Sequence, residues 1–211
     1  EVMTMGALTM VFPALILFLL VAGIGLRFLE QVVESSAQGE RRPPRWPRSN
    51  IFDLVACLGR WAAAMATGLG VGIALAWPFV APAASLAESA RRGYVEVLAA
   101  LVLGSGAALW PMGILAVSLH QGPAAANPVS LVIAIIRAGW GYLGIGLLFG
   151  VAGAATLALA ALLYHIPGIL ATALGVYLFW VVVWYEAIVL VRRLGLFYRR
   201  RAKALGWFRS P

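Results

Sequence analysis

Charged residues are scarce in this chain. They make up 11% of its 211 residues, whereas a soluble domain carries about 25%. So few charges cannot cover a surface that faces water, and 63% of the residues are hydrophobic. The mean hydropathy of +0.93 agrees with this imbalance. The sequence therefore predicts an integral membrane protein and excludes an ordinary soluble domain.

Residues that commonly form catalytic or metal sites are also few. Cys57 is the single cysteine, so no intrachain disulfide or cysteine metal cluster can form, and we interpret it as a small buried side chain. The sequence has two histidines and eight acidic residues. It lacks the H-E-x-x-H, Walker A and G-x-S-x-G motifs. These absences favour a non-enzymatic protein, and we predict no cofactor and no metal.

Long apolar runs, in contrast, are plentiful. A spanning helix needs about 20 apolar residues, because a rise of ~1.5 Å per residue must cross ~30 Å of hydrocarbon. We predict an all-α fold, a single polytopic transmembrane bundle of about five spans with a basic tail over residues 192–211. The predicted spans are residues 5–28, 52–80, 95–119, 140–163 and 169–191. Asp53 and Arg60 lie near the start of the second run, from which their side chains are expected to reach the membrane interface.

The segment between the third and fourth spans is predicted to contain an interfacial helix. Asn127 is a suitable N-cap, so we expect a helix over residues 128–139 on the membrane surface. Arg137 would then reach the headgroups, and Trp140 and Tyr142 would lie in the aromatic belt. The alternative is one long tilted helix that continues through the fourth span.

The C-terminal segment RRLGLFYRRRAKALGWFRSP mixes apolar and basic residues. This pattern is typical of an amphipathic helix that lies on a membrane surface. The apolar residues that would face the lipid are Leu194, Phe197, Leu205 and Phe208.

The basic residues fall on one side of the predicted bundle. Five spans place the first loop, the third loop and the C-terminus on the same side, and that side receives every Lys and Arg except Arg91 and Arg92. Cytoplasmic loops are enriched in Lys and Arg, so we expect an external N-terminus and a cytoplasmic C-terminus. The excess of Arg over Lys, with abundant Ala and Gly, suggests a GC-rich bacterial genome and hence the bacterial cytoplasmic (inner) membrane.

The N-terminal end of the sequence bears on targeting. The chain begins with Glu1 rather than Met, which suggests that further residues precede it. The first apolar run is longer than the apolar segment of a signal peptide. We therefore interpret this run as a membrane span and not as a cleaved leader.

Two basic clusters are candidate docking surfaces, one in the loop GERRPPRWPRSN and one in the tail. Basic clusters beside apolar spans bind anionic lipid headgroups, and they also suit protein partners. Nucleic acid is not an expected partner, because the charge is gathered beside spans and not spread over a face. The candidate docking residues are Arg41, Arg42, Arg45, Trp46, Arg48, Arg199, Arg200, Arg201 and Lys203.

Three ionisable residues are candidates for other chemistry. Glu186 lies within the fifth run, where it is either an intramembrane proton or cation site or a partner of Arg192 or Arg193 near the inner surface. His120 and His165 lie at predicted helix ends. Either could ligate a metal, haem or chlorophyll through a ring nitrogen, or simply cap its helix.

Pairs of glycines four residues apart occur in the second and fourth spans. They are Gly68 with Gly72 and Gly146 with Gly150. Small residues at this spacing let membrane helices approach closely.

Two segments carry a resemblance to a known family. LEQVVESSAQGERRPPRWPRSNIFDL and NPVSLVIAIIRAGWGYL resemble motifs of an uncharacterised prokaryotic family of integral membrane proteins, domain-of-unknown-function family 4013. The segment LGLFYRRRAKALGWF resembles the basic tail of some of its members. The resemblance implies a membrane protein and assigns no activity. The residues that carry it are Gly39, Glu40, Pro44, Trp46, Pro47, Phe52, Asp53, Asn127, Pro128, Ile135, Arg137 and Tyr142.

Three functions are compatible with these features. The leading hypothesis is a scaffold, assembly factor or accessory subunit of a larger membrane complex, because few polar groups lie inside the spans. A small transporter or channel component that uses Glu186 is the alternative. A subunit that holds a pigment or haem through His120 or His165 is a weaker one.

Overall fold

The protein is built from α-helices. The computed structural model describes residues 2–40, 42, 44–79, 88–165 and 168–207, and no strand occurs among them. This confirms the predicted all-α class. The α-helices are α1 (Val2–Gln38), α2 (Ile51–Ala76), α3 (Glu88–His120), α4 (Pro128–Ala138), α5 (Trp140–Tyr164) and α6 (Ile169–Leu205). Short 3-10 helices occupy Trp77–Phe79 and Pro123–Ala126.

Five of these helices are long and apolar enough to cross a membrane, as predicted. The protein is therefore a multi-pass membrane protein. The candidate spans are Leu15–Gln38, Ile51–Phe79, Gly93–His120, Trp140–Leu163 and Thr172–Leu205.

Two helices extend well beyond the apolar runs that predicted them. The helix α1 continues past residue 28 to Gln38, and α6 continues past residue 191 to Leu205. Each helix continues until a glycine takes a positive φ, which is 82° at Gly39 and 64° at Gly206. Glycine adopts this left-handed conformation without a steric penalty and so ends a helix. The basic tail described by the structure is therefore part of the last helix.

The ends of several helices meet at one pole of the bundle. Gly25 lies against Trp184 and Gly39 lies against Arg199, so α1 and α6 run parallel. The side chain of Gln121, which follows α3, donates to Glu34 of α1 at 2.8 Å. We call this end, formed by the described residues 27–40, 42, 44–60, 120–141 and 192–207, the basic pole.

The core lies mainly at and beside the basic pole. Leu194 and Leu205 are fully buried and pack with Val33 of α1 and Leu131 of α4. The apolar spans are far more exposed, and none of the most apolar part of α5 is buried inside the protein. The packing of α6 along α1 continues beyond residue 191, so Leu194 and Leu205 face the protein core. This corrects the prediction that they face lipid. Phe208 lies outside the described residues.

The segment after Asn127 forms two helices. Gly139 has φ 62° and ψ −153°, a conformation that separates α4 from α5. The helix α4 buries Leu131, Ala134 and Ala138 against the core and leaves Arg137 exposed.

Tyr142 is buried, which corrects its predicted place in the aromatic belt. It is 2% exposed. Its hydroxyl donates to the Ala108 carbonyl and accepts from the Met112 N–H at 3.2 Å. A regular helix would pair these two groups of α3 with each other, and they lie on either side of Pro111, which has no N–H to donate. Because the Tyr142 hydroxyl forms both of its hydrogen bonds inside the bundle, it does not require the polar groups of the membrane interface.

Candidate functional site at the basic pole

A buried ion pair joins α1 to α2. Glu30 is 0% exposed and Arg60 is 8% exposed. The Nε of Arg60 donates to Oε1 of Glu30 at 2.9 Å, and its Nη2 donates to Oε2 at 2.7 Å. This two-pronged geometry is the strongest that a guanidinium and a carboxylate can form.

Further charges extend the pair into a cluster. Arg27 donates to Glu30 at 2.7 Å and lies 3.8 Å from Glu34, which in turn accepts the bond from Gln121. The Cys57 thiol also lies against the Glu30 carboxylate, which agrees with its interpretation as a small buried side chain. The cluster therefore links α1, α2 and the segment after α3.

The position of Arg60 corrects the expectation that its side chain reaches the membrane interface. The guanidinium turns inward because a carboxylate is available there, and a paired charge is far less costly to bury than an isolated one. Glu30 was missed because the first span was ended at residue 28. The spacing of Arg27, Glu30 and Glu34 was the available signal, since residues three and four apart share one helix face.

The loop residues 44–50 lie beside α1. Trp46 packs over Phe28 with ring centroids 5.0 Å apart. At the end of the loop, Asn50 caps α2 by accepting from the Asp53 N–H at 2.8 Å, and Asp53 accepts in return from the Asn50 N–H at 3.3 Å. This capping box explains why α2 begins at Ile51 and why an acidic residue occupies position 53.

The structure separates the predicted docking residues into groups. Arg45, Trp46 and Arg48 line one cleft beside α1. Arg42 and Arg192 line a second, smaller cleft between α1 and α6.

The predicted docking residues of the tail lie on the last turns of α6. Arg199 lies beneath Gly39, and Arg201 lies against Gly141. Arg200 and Lys203 are exposed. Arg41 is outside the described residues, so its predicted role stays a prediction.

Glu186 bonds across to α5. It is half-buried, and Oγ1 of Thr156 donates to its Oε2 at 2.6 Å. Among the residues that the structure describes, no ion pair joins it to Arg192 or Arg193. The carboxylate is therefore held between two spans.

The two histidines lie at opposite ends of the bundle. His120 makes an edge-to-face contact with Trp207 at the basic pole, with centroids 5.5 Å apart. His165 follows α5, whose 25 residues extend away from that pole for roughly 37 Å at ~1.5 Å per residue. The two rings therefore cannot share one ligand. In the described parts of the chain, no three His, Cys, Asp or Glu side chains are grouped so that they could hold a metal ion.

Comparison with known proteins found no match for this chain. No protein-family model, curated protein or solved structure matches the chain. The resemblance to family 4013 accordingly stays a prediction.

Proposed function

We propose that the protein is a non-enzymatic subunit of a larger membrane complex, acting as a scaffold, assembly or accessory component. Its packed basic pole would face the cytoplasm of a bacterial cell and hold the fold together. Its apolar spans would receive a transmembrane helix of another subunit. The position of nearly all Lys and Arg residues at one pole supports this orientation.

A glycine-lined groove between α2, α3 and α5 carries the proposal. On one wall, Gly68 and Gly106 bring the backbones of α2 and α3 together, with 3.4 Å between a Cβ built on Gly68 and the Gly106 Cα. On the other wall, Gly150 and Gly153 have no atom within 4 Å of a Cβ built on them. The groove has a volume of about 410 Å³.

Another helix is the occupant that suits this groove best. Small residues in membrane helices concentrate where helix backbones approach each other, and this groove has small residues on both walls. None of the described residues that line it is charged, so the partner surface is expected to be apolar and itself rich in Gly, Ala or Ser. Among the described residues, Glu30 and Arg60 are the buried charges, and they are bonded to each other, which favours a structural over a catalytic use.

Filling the groove is expected to release the partner. The variant Gly150→Leu with Gly153→Leu should reduce the partner recovered with the tagged protein in mild detergent by at least about tenfold. Two leucine side chains in the groove would hold the helix backbones apart, and a loss of ~1.4 kcal/mol of binding free energy already corresponds to that factor. The matched control is Gly144→Leu with Ala155→Leu, which adds the same bulk to the other face of α5. Its recovery of the partner should equal that of the unmodified protein.

Two results would count against the proposal. Equal recovery of the partner by the groove variant and by the control variant would show that the groove is not the contact. Groove-dependent self-association of the purified chain alone would show that the occupant is a second copy and not another subunit.

Glu186 supports a second candidate, a small transporter or channel component. Glu186 is half-buried and accepts a hydrogen bond of 2.6 Å from Thr156. Ionisable side chains are costly within a membrane span, and those that occur there commonly mark an ion or substrate pathway. Under this candidate, Glu186→Gln abolishes pH- or ion-dependent flux in proteoliposomes. Thr156→Val is the companion variant, since it removes the hydrogen bond and keeps the carboxyl group. Flux that is unchanged in Glu186→Gln would exclude the residue.

A further inference from the structure

We propose that the protein has a specific site for one anionic glycerophospholipid, formed by loop residues 45–48 together with α1 and α6. This site lies on a different face from the glycine-lined groove. The lipid site can therefore be tested independently of the proposed partner helix.

The polar half of the site is a cleft of about 510 Å³ beside α1. Arg45 and Arg48 line it together with Gln31. Neither arginine forms an ion pair with any described residue, whereas Glu30 of α1 is bound by Arg60 and Arg27. Two exposed guanidinium groups without counter-ions are suited to a phosphate, which they can bind through paired N–H donors.

The apolar half is a groove of about 460 Å³ between α1 and α6. Gly25 lets the ring of Trp184 pack directly against the α1 backbone, because a side chain at position 25 would run into that ring. Among the described residues, no charged side chain lines this half. The lining residues are Val21, Ile24, Gly25, Phe28, Trp46, Trp184 and Ile188.

Trp46 belongs to both halves and fixes their relation. Its ring lies over Phe28 and contributes to the cleft on one side and to the groove on the other. Arg27 is the first charged residue of α1 after its long apolar stretch, so the two halves meet where the helix passes from apolar to polar. Trp side chains prefer this depth in a membrane.

These observations specify an amphiphile. A ligand for both halves must carry a negative charge at one end and an apolar chain at the other, and these must join at the depth of the glycerol backbone. An anionic phospholipid of the surrounding leaflet has this form. A water-soluble phosphate would use the cleft alone.

The test compares phosphatidylglycerol with phosphatidylcholine of identical acyl chains, bound to the purified protein and counted by native mass spectrometry. The unmodified protein is expected to retain phosphatidylglycerol about 25-fold more strongly, since each of the two arginines near the headgroup contributes about a factor of five. Arg45→Gln with Arg48→Gln should remove this preference. Arg137→Gln with Arg193→Gln removes the same charge from exposed positions outside the cleft and should keep the preference.

Trp46 provides a second readout. Phosphatidylglycerol with brominated acyl chains should quench tryptophan fluorescence more than brominated phosphatidylcholine. Trp46→Phe should reduce this difference and leave the part that Trp184 of the same groove contributes. Inorganic phosphate at the same concentration should not displace the lipid. Equal retention of both lipids by the unmodified protein, an equal loss in the two arginine variants, or displacement by inorganic phosphate would each overturn the proposal.

Discussion

Replacing Glu30 with alanine is expected to destabilise the folded protein by about 3–5 kcal/mol. The substitution leaves Arg60, which is 8% exposed, as a buried charge without a partner. Arg60→Ala should have an effect of similar size, because it leaves the Glu30 carboxylate with Arg27 alone. Equilibrium unfolding of the purified protein in mixed detergent micelles measures both effects.

Two controls separate the charge effect from a loss of packing. The double variant Glu30→Met with Arg60→Met should recover most of the lost stability, since a buried ion pair replaced by apolar side chains of similar volume is often neutral. Arg27→Ala should cost less than either single variant, because Glu30 keeps both hydrogen bonds from Arg60. If the double variant were as unstable as Glu30→Ala, the ion pair would not be the source of the effect.

Replacing Gly195 with alanine is expected to separate α1 from α6. A Cβ at this position would lie 2.6 Å from the Val33 carbonyl oxygen and 2.7 Å from the Ser36 Cβ. The nearest of these is a backbone atom that no rotamer change can move, so the two helices must shift apart. Overpacking of this kind costs about 3 kcal/mol.

The control for Gly195 is another helical glycine in open space. Gly144 has no atom within 4 Å of a Cβ built on it, so Gly144→Ala should stabilise the protein by up to about 1 kcal/mol through helix propensity. The melting temperatures of the two variants in the same detergent should therefore move in opposite directions. A rise in the melting temperature of both variants would contradict the close packing of α1 on α6.

The sequence was sufficient to predict the helical class and the number of spans. Both follow from hydropathy and length, which are properties of each segment alone. The lengths of α1 and α6 were not predictable in this way, because their final turns are stabilised by packing on each other. Leu194 shows the reason: its apolar side chain indicates burial, and only the fold decides whether it is buried in lipid or in protein.

The same limit applies to the glycine pairs. Gly68 and Gly72 pack tightly on α3, where a Cβ on Gly72 would lie 2.7 Å from the Val102 Cα. Gly146 and Gly150 have the same spacing and no neighbour within 4 Å. The spacing of two glycines indicates that another helix can approach closely at that position. Whether that helix belongs to the same protein or to another chain is decided by the fold and the assembly.

The candidate site was predicted in part. The arginines and the tryptophan of the loop were identified from composition, and the structure places Arg45, Trp46 and Arg48 around one cleft. Glu30 was not identified, because the partner that buries it is thirty residues away on another helix. A pairing between distant residues cannot be read from the spacing within one segment.

Photo-crosslinking in the native membrane tests the central claim most directly. A crosslinking residue at Leu157, which lines the glycine groove and is 71% exposed, is compared with one at Leu162, which is 66% exposed and lies outside the groove lining. We expect Leu157 to give one discrete adduct with another membrane protein, Leu162 to give adducts with lipid, and the Gly150→Leu, Gly153→Leu background to abolish the protein adduct. The same adducts from both positions, or lipid alone at Leu157, would contradict the assignment of the groove to a partner helix.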